Sequence, residues 1–287
     1  MANFDFDQAE GLRRMLAGPR PRVVTFLCAT AQDDKGAMLV NLGASLVRAG
    51  NDVLVVDACS EEYGVAQRLG VDRGASLLSV ARQECALNQA IRQVPQGFGV
   101  VSMLRGPHSA GGQAQRRANP DEARRLASTF DVLVKQSGIV IVDGEVDRDG
   151  GFPVPVMTSA EIVVQVSPSA SSIKAGYSLI KQLSQELGRR PFGILVTGAS
   201  ESDAKVVYDN MAAASSRYLA VPLTSMGSVP ADEYLQRAAR LGRAVVDAFP
   251  LAGASVAFRR LAGRFALSGV SGMPTVARPG GNTHFGS

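Results

Sequence analysis

Lys35, Asp57 and Asp143 are the residues of this chain whose types and spacing could serve phosphate chemistry. Lys35 follows the apolar run over 23–28 by a short loop, while Asp57 closes Val53-Leu54-Val55-Val56 and Asp143 closes Ile139-Val140-Ile141-Val142. In an open α/β sheet the C-terminal strand edge faces the ligand crevice, so an ammonium and two carboxylates there could meet a phosphate and a hydrated metal. The same three side chains could equally close the crevice as a salt bridge.

The loop itself reads Ala29-Thr30-Ala31-Gln32-Asp33-Asp34-Lys35-Gly36. A phosphate cradle of the Gly-x-x-x-x-Gly-Lys-Ser/Thr type needs glycines for close backbone approach, a lysine for the outer phosphates and a hydroxyl for Mg²⁺. With Lys35 in the lysine position, Ala29 and Asp34 stand where glycines belong and Gly36 where the hydroxyl belongs. A carboxylate about 4 Å from a phosphate costs roughly 4 kcal/mol at an effective dielectric near 20. The loop is therefore expected to reject triphosphate unless Asp33 and Asp34 point away or hold a cation. A plain strand-to-helix connection is the alternative.

Elements able to position these groups follow along the chain. From Ala37 the apolar residues Met38, Leu42, Leu46 and Val47 recur at helical spacing, and Gly50 stops that helix. Residues 59–92 read as loop and short helices, 98–103 as a third strand and 105–118 as a Gly-rich, basic surface loop. Asn119-Pro120-Asp121-Glu122 supplies a cap, a proline at the first helical position and first-turn acids, starting a helix that should run to Gln136. Strands over 162–166 and 193–197 are separated by a helix over 169–187 that Gly188 ends. A helix over 202–218, a capped turn at 229–233 leading into another helix, and a last helix over 256–267 follow. Buried strands alternating with helices require crossovers, so the fold class is α/β, a mostly parallel sheet covered by helices on both faces.

At 287 residues the chain can bury one large core. One domain over 19–267 is expected, preceded by a helical arm over 1–18 and followed by a disordered tail over 268–287, rich in Gly, Pro, Ser and Thr. In the arm, Ala9, Leu12 and Leu16 share a face with Arg13 and Arg14 beside it, a pattern that fits docking on a partner or folding back on the domain. With 30 Lys+Arg against 26 Asp+Glu, the charge balance argues for no nucleic-acid partner. Three cysteines without CxxC spacing point to a reducing cytoplasm, and no apolar run reaches the roughly 18 residues of a membrane span.

Read as a whole, the chain resembles the MinD/ParA group of deviant Walker ATPases, with their P-loop NTPase fold, and within it the FlhG-type flagellar number regulators, also called FleN or YlxH. Asp7-Gln8-Ala9-Glu10-Gly11-Leu12-Arg13 matches the Asp-Gln-Ala-x-x-Leu-Arg motif with which those proteins engage the SRP-type GTPase FlhF. Val40-Asn41-Leu42 after the loop, Asp57-Ala58, Ile141-Val142-Asp143 as the Walker B strand, and Gly227-Ser228-Val229-Pro230-Ala231-Asp232 near the base pocket extend the match across 5–267.

The resemblance implies ATP and Mg²⁺ as cofactors, with Lys35, Gly36, Asp57 and Asp143 on the nucleotide site. It implies Asp7, Gln8, Ala9, Leu12 and Arg13 as the surface for an FlhF-like GTPase. A flagellar regulator or basal-body protein as second partner, a homodimer, and peripheral contact at the inner membrane face or cell pole belong to the same implication. The departures change the expected chemistry. Thr30 replaces the lysine that reaches across the family's dimer, Thr197 stands where the family has a base-contacting Asn, and Gly36 cannot ligate Mg²⁺. Cys59 replaces the acid that activates water, and a neutral thiol is a poor proton acceptor. No catalytic residue and no metal ligand is therefore assigned. The expected function is a MinD-like scaffold that regulates flagellar number or placement with hydrolysis lost; the alternative is a working ATPase with a non-standard loop that dimerises on ATP.

Membrane contact raises a separate choice. Phe258, Leu261 and Phe265 share a face of the last helix, with Arg259, Arg260 and Arg264 elsewhere. That face fits either contact with a membrane or packing on the domain.

Overall fold

The computed structural model describes residues 21–59, 64–71, 74–104, 120–146, 152 and 160–267. The expected arm over 1–18, the expected loop over 105–118 and the tail over 268–287 lie outside the described residues. Among the described residues eight strands form one sheet: β1 Arg22–Cys28, β2 Val53–Asp57, β3 Arg92–Gln93, β4 Gly99–Ser102, β5 Ile139–Asp143, β6 Glu161–Val166, β7 Phe192–Thr197 and β8 Leu223–Val229. Their spatial order is β3-β4-β2-β5-β1-β6-β7-β8. Every pairing is parallel except that of β3 with β4.

The five apolar runs expected as buried strands are β1, β2, β5, β6 and β7, and β4 answers the expected third strand over a shorter length. Their near-complete burial follows from helices on both faces. β8 carries no such signal. Its Leu-Thr-Ser-Met-Gly-Ser-Val sequence sits at the sheet edge with only Met226 and Val229 buried, so half of it faces water and tolerates polar residues.

On one face lie α1 Lys35–Arg48 and, near the chain end, α10 Gly253–Leu267. Between them in sequence come the short helices α2 Val65–Arg68, α3 Leu77–Ala81 and α4 Leu87–Ala90, then α5 Pro120–Lys135, α6 Ala170–Leu187, α7 Glu201–Leu219, α8 Glu233–Arg240 and α9 Val245–Ala248. The core facing α1 and α10 joins Phe26, Leu39, Leu42, Val55 and Phe258, while Phe130 of α5 and Ile180 of α6 anchor the opposite face. Local signals set the ends of α6: Ser169 accepts from the Ser172 N–H at 3.2 Å, and Gly188 ends the helix at φ 77°. Gly176 of the same helix is needed for close approach, since a Cβ there would meet Val166 at 2.7 Å.

Of the two arrangements open to the apolar face of helix α10, the structure has packing on the domain, and Phe258, Leu261 and Phe265 are core residues and not an exposed face for membrane contact. Their exposures are 1%, 2% and 2%. The Phe265 ring lies 5.7 Å from that of Phe26, and the Arg22 guanidinium sits 4.8 Å above it while donating to the Phe265 carbonyl. A face already spent on α1 and β1 offers nothing to a bilayer. No helix among the described residues is long and apolar enough to cross a membrane.

Phe265→Ala is expected to lower stability by about 3–5 kcal/mol through lost burial and the cavity left behind. Urea unfolding monitored by circular dichroism checks this; a midpoint equal to the parent's would mean that the α10 face is not core.

Candidate functional site

Strand register brings the three chemistry-bearing residues to one edge. Asp57 pairs in register with Asp143, and Phe26 pairs with Asp143 on the other side. Lys35, in the first turn of α1, extends over this row. Its Nζ lies 2.8 Å from Asp143 Oδ1 and donates to the carbonyls of Gly144 and, at 3.4 Å, Phe26. An ammonium has three protons, and these three oxygens take them. The side chains of Lys35 and Asp143 are 7% and 0% exposed. Burial, the largest effect, works against the lysine's charge, but Asp143 together with the neighbouring Cys59 and Cys28 more than offsets it, and the net effect raises the ammonium's pKa.

The loop carboxylates are turned inward or paired. Asp33 Oδ2 accepts from the Thr30 N–H at 2.9 Å, the Thr30 hydroxyl at 3.0 Å and the Ser172 hydroxyl at 2.9 Å. Asp34 holds φ 46° and ψ 57°, the left-handed conformation for which glycine is the unstrained choice. Its carboxylate compensates by capping α1, accepting from the Ala37 N–H at 3.2 Å, and by pairing with Arg68 of α2 at 2.6 Å. This cap also explains why α1 begins at Lys35, two residues before its apolar periodicity. Gln165 of β6 ties the loop down from below, donating to the Asp33 carbonyl and, at 3.1 Å, to the Thr197 hydroxyl.

Asp57 does not join the lysine. Its two oxygens accept from the Cys59 N–H at 3.1 Å and the Ala66 N–H at 3.0 Å, while Asp143 Oδ2 accepts from the Val65 N–H at 2.8 Å. The salt-bridge alternative therefore holds for Lys35 with Asp143, and Asp57 instead fastens the start of α2. Cys59 Sγ sits 3.4 Å from Asp143 Oδ1 and 3.6 Å from Lys35 Nζ. Burial pushes its thiol up, with Lys35 opposing and Asp143 adding to the effect. Burial likewise pushes up Cys28.

Asp57, Cys59 and Asp143 present ligand atoms within 4.8 Å of one another. They do not fit Mg²⁺: Asp143 is committed to an ammonium, Asp57 to two N–H groups, and Gly36 brings no hydroxyl. Magnesium wants hard oxygens in near-octahedral array, whereas a thiol is soft.

Two cavities flank the loop. One, of about 510 Å³, runs beside α1 past Gln165, Thr197, Val229 and Asp232; the other, of about 710 Å³, lies over Cys28, Lys35, Gly36 and Cys59. Asp34 and Arg68 line both. Sequence reasoning placed Lys35, Gly36, Asp57 and Asp143 together here but missed Arg68 and Gln165. Arg68 falls in a stretch of short helices with no pattern to mark it. Gln165 had a signal, an uncharged polar residue inside an otherwise apolar strand at the crevice edge.

No family model matches the chain. It is 27% identical over 247 residues to the antiactivator FleN of Pseudomonas aeruginosa, an alignment covering 86% of this chain and 85% of that protein. The fold is similar to that of the cell division protein MinD of Aquifex aeolicus, with a TM-score of 0.62 at 17% identity, covering 88% and 98% of the two chains. It is also similar to a ParA family ATPase of Chlorobium tepidum, with a TM-score of 0.62 at 16% identity, covering 84% and 98%. The chain thus has the MinD/ParA type of P-loop NTPase fold and resembles a FleN protein in sequence, as its motifs implied.

Lys35→Met is expected to cost about 3–5 kcal/mol by leaving Asp143 buried and uncompensated. Adding Asp143→Leu should recover most of that loss in urea unfolding; no recovery would show that the cost is not the orphaned charge. A pH effect follows with a definite sign. Above 9.0, the ordinary thiol value, Cys28 and Cys59 ionise in the unfolded chain but keep their protons to higher pH when folded, so stability falls. It falls further above 10.5, where the unfolded Lys35 loses its proton and the folded one keeps it. Denaturation midpoints between pH 8 and pH 11 measure this, and Cys59→Ala should flatten the first part of the decline.

Proposed function

We propose that the chain is a FleN-like regulator of flagellar number or placement that works as a MinD-type scaffold without hydrolysing ATP. One observation carries this reading: the Lys35 ammonium is saturated by Asp143 and two backbone carbonyls inside the protein. A lysine so held has no proton left for an outer phosphate. The loop's N–H and hydroxyl donors at Thr30 are likewise taken by Asp33. The chain's own carboxylates thus stand in the relations to ammonium and loop donors that phosphate oxygens would need.

Partner binding then rests on the arm. Asp7, Gln8, Ala9, Leu12 and Arg13 keep the Asp-Gln-Ala-x-x-Leu-Arg pattern, and docking on an FlhF-like GTPase would bury Leu12 and pair Arg13 with a carboxylate or phosphate of that partner. The sequence likeness to FleN supports the regulatory assignment. A homodimer and a flagellar regulator or basal-body protein are further partners on the same ground.

Isothermal titration of the full chain with ATP–Mg²⁺ should give no binding at micromolar strength; such binding, or steady hydrolysis abolished by Lys35→Ala, would return the ATPase alternative. In a GTPase assay with a cognate FlhF, the chain should stimulate turnover, and Gln8→Ala with Leu12→Ala should remove the stimulation. Full stimulation by a chain lacking residues 1–18 would refute the arm's role.

A further inference from the structure

The ion pair between Asp34 and Arg68 occupies a position that neither α1 capping nor surface charge explains. Its two side chains line both cavities, so the pair stands where one cavity gives way to the other. The contact is 2.6 Å long with the side chains 55% and 38% exposed, and an exposed pair of this kind holds weakly. Asp34 reaches it from a left-handed backbone that disfavours a side chain. The crevice therefore contains a guanidinium held by an internal anion.

We propose that Asp34 is an autoinhibitory group: it gives Arg68, within the chain, the anion that Arg68 would otherwise take from a ligand, and so keeps the two cavities apart. An oxyanion of the phosphate class competes with Asp34 for the guanidinium, because a planar guanidinium binds carboxylate and phosphate by the same forked geometry. Release of Asp34 joins the two cavities into one trough. Lys35 takes no part, since it stays on Asp143. The inference rests on the reading of the crevice as occupied by the chain's own carboxylates, and adds that one of these occupations, the exposed one, is reversible.

The test is calorimetric titration of inorganic pyrophosphate into the full chain at low ionic strength. Asp34→Asn is the variant of choice: asparagine tolerates the left-handed backbone and still caps a helix, but it cannot neutralise Arg68. The parent should bind more weakly than about 1 mM, and Asp34→Asn at least tenfold more tightly, which is about 1.4 kcal/mol. Adding Arg68→Ala to Asp34→Asn should abolish the gain, with circular dichroism showing both variants folded. No gain in Asp34→Asn, or a gain that survives Arg68→Ala, overturns the proposal. Micromolar binding of ATP–Mg²⁺ by the parent would instead refute the scaffold reading, and the dependence of pyrophosphate binding on Asp34 and Arg68 is read separately from it.

Discussion

The buried pair of Lys35 and Asp143 is the constraint on which the crevice depends. A charge with 0% exposure must be matched, and Asp143 is matched by an ammonium, a thiol and the Val65 N–H at once. The elements converge because of it. α1 must start at the C-terminal edge of β1 for Lys35 to reach across, β5 must lie between β1 and β2, and α2 must bring its first N–H groups to Asp143 and Asp57. Removing either charge would leave the other stranded in the middle of the sheet.

Seen from this pair, the loop's departures from a phosphate cradle form a consistent set. Substituting Asp34 for a glycine strains the backbone but supplies a cap and a partner for Arg68. Asp33 turns into the loop and satisfies Thr30 and Ser172, so it presents no naked charge to the crevice. Where a working cradle keeps its donors open for a ligand, this one closes them upon its own side chains.

Much of the fold was legible because its strands are buried on both faces: Val-Leu-Val-Val-Asp and Ile-Val-Ile-Val-Asp can hardly be anything else, and their terminal acids mark the crevice edge. β8 was not legible, since an edge strand with polar residues looks like loop. The composition of the site was readable at Lys35, Asp57 and Asp143, but its wiring was not. Nothing in the spacing says that Asp57 binds backbone N–H groups while Asp143 takes the lysine. The arginines on α10 left its role open between bilayer and core, and only the packing of Phe265 on Phe26 decides it.

The central claim, that Lys35 is bound within the protein and not offered to a ligand, can be read directly from the lysine Nζ resonances in ¹H–¹⁵N spectra. A buried, triply bonded ammonium should give one slowly exchanging signal, absent in Lys35→Met, whose shifts do not move when ATP–Mg²⁺ is added in excess. A Lys35 signal that exchanges as fast as those of surface lysines, or that shifts on adding ATP–Mg²⁺, would contradict the account.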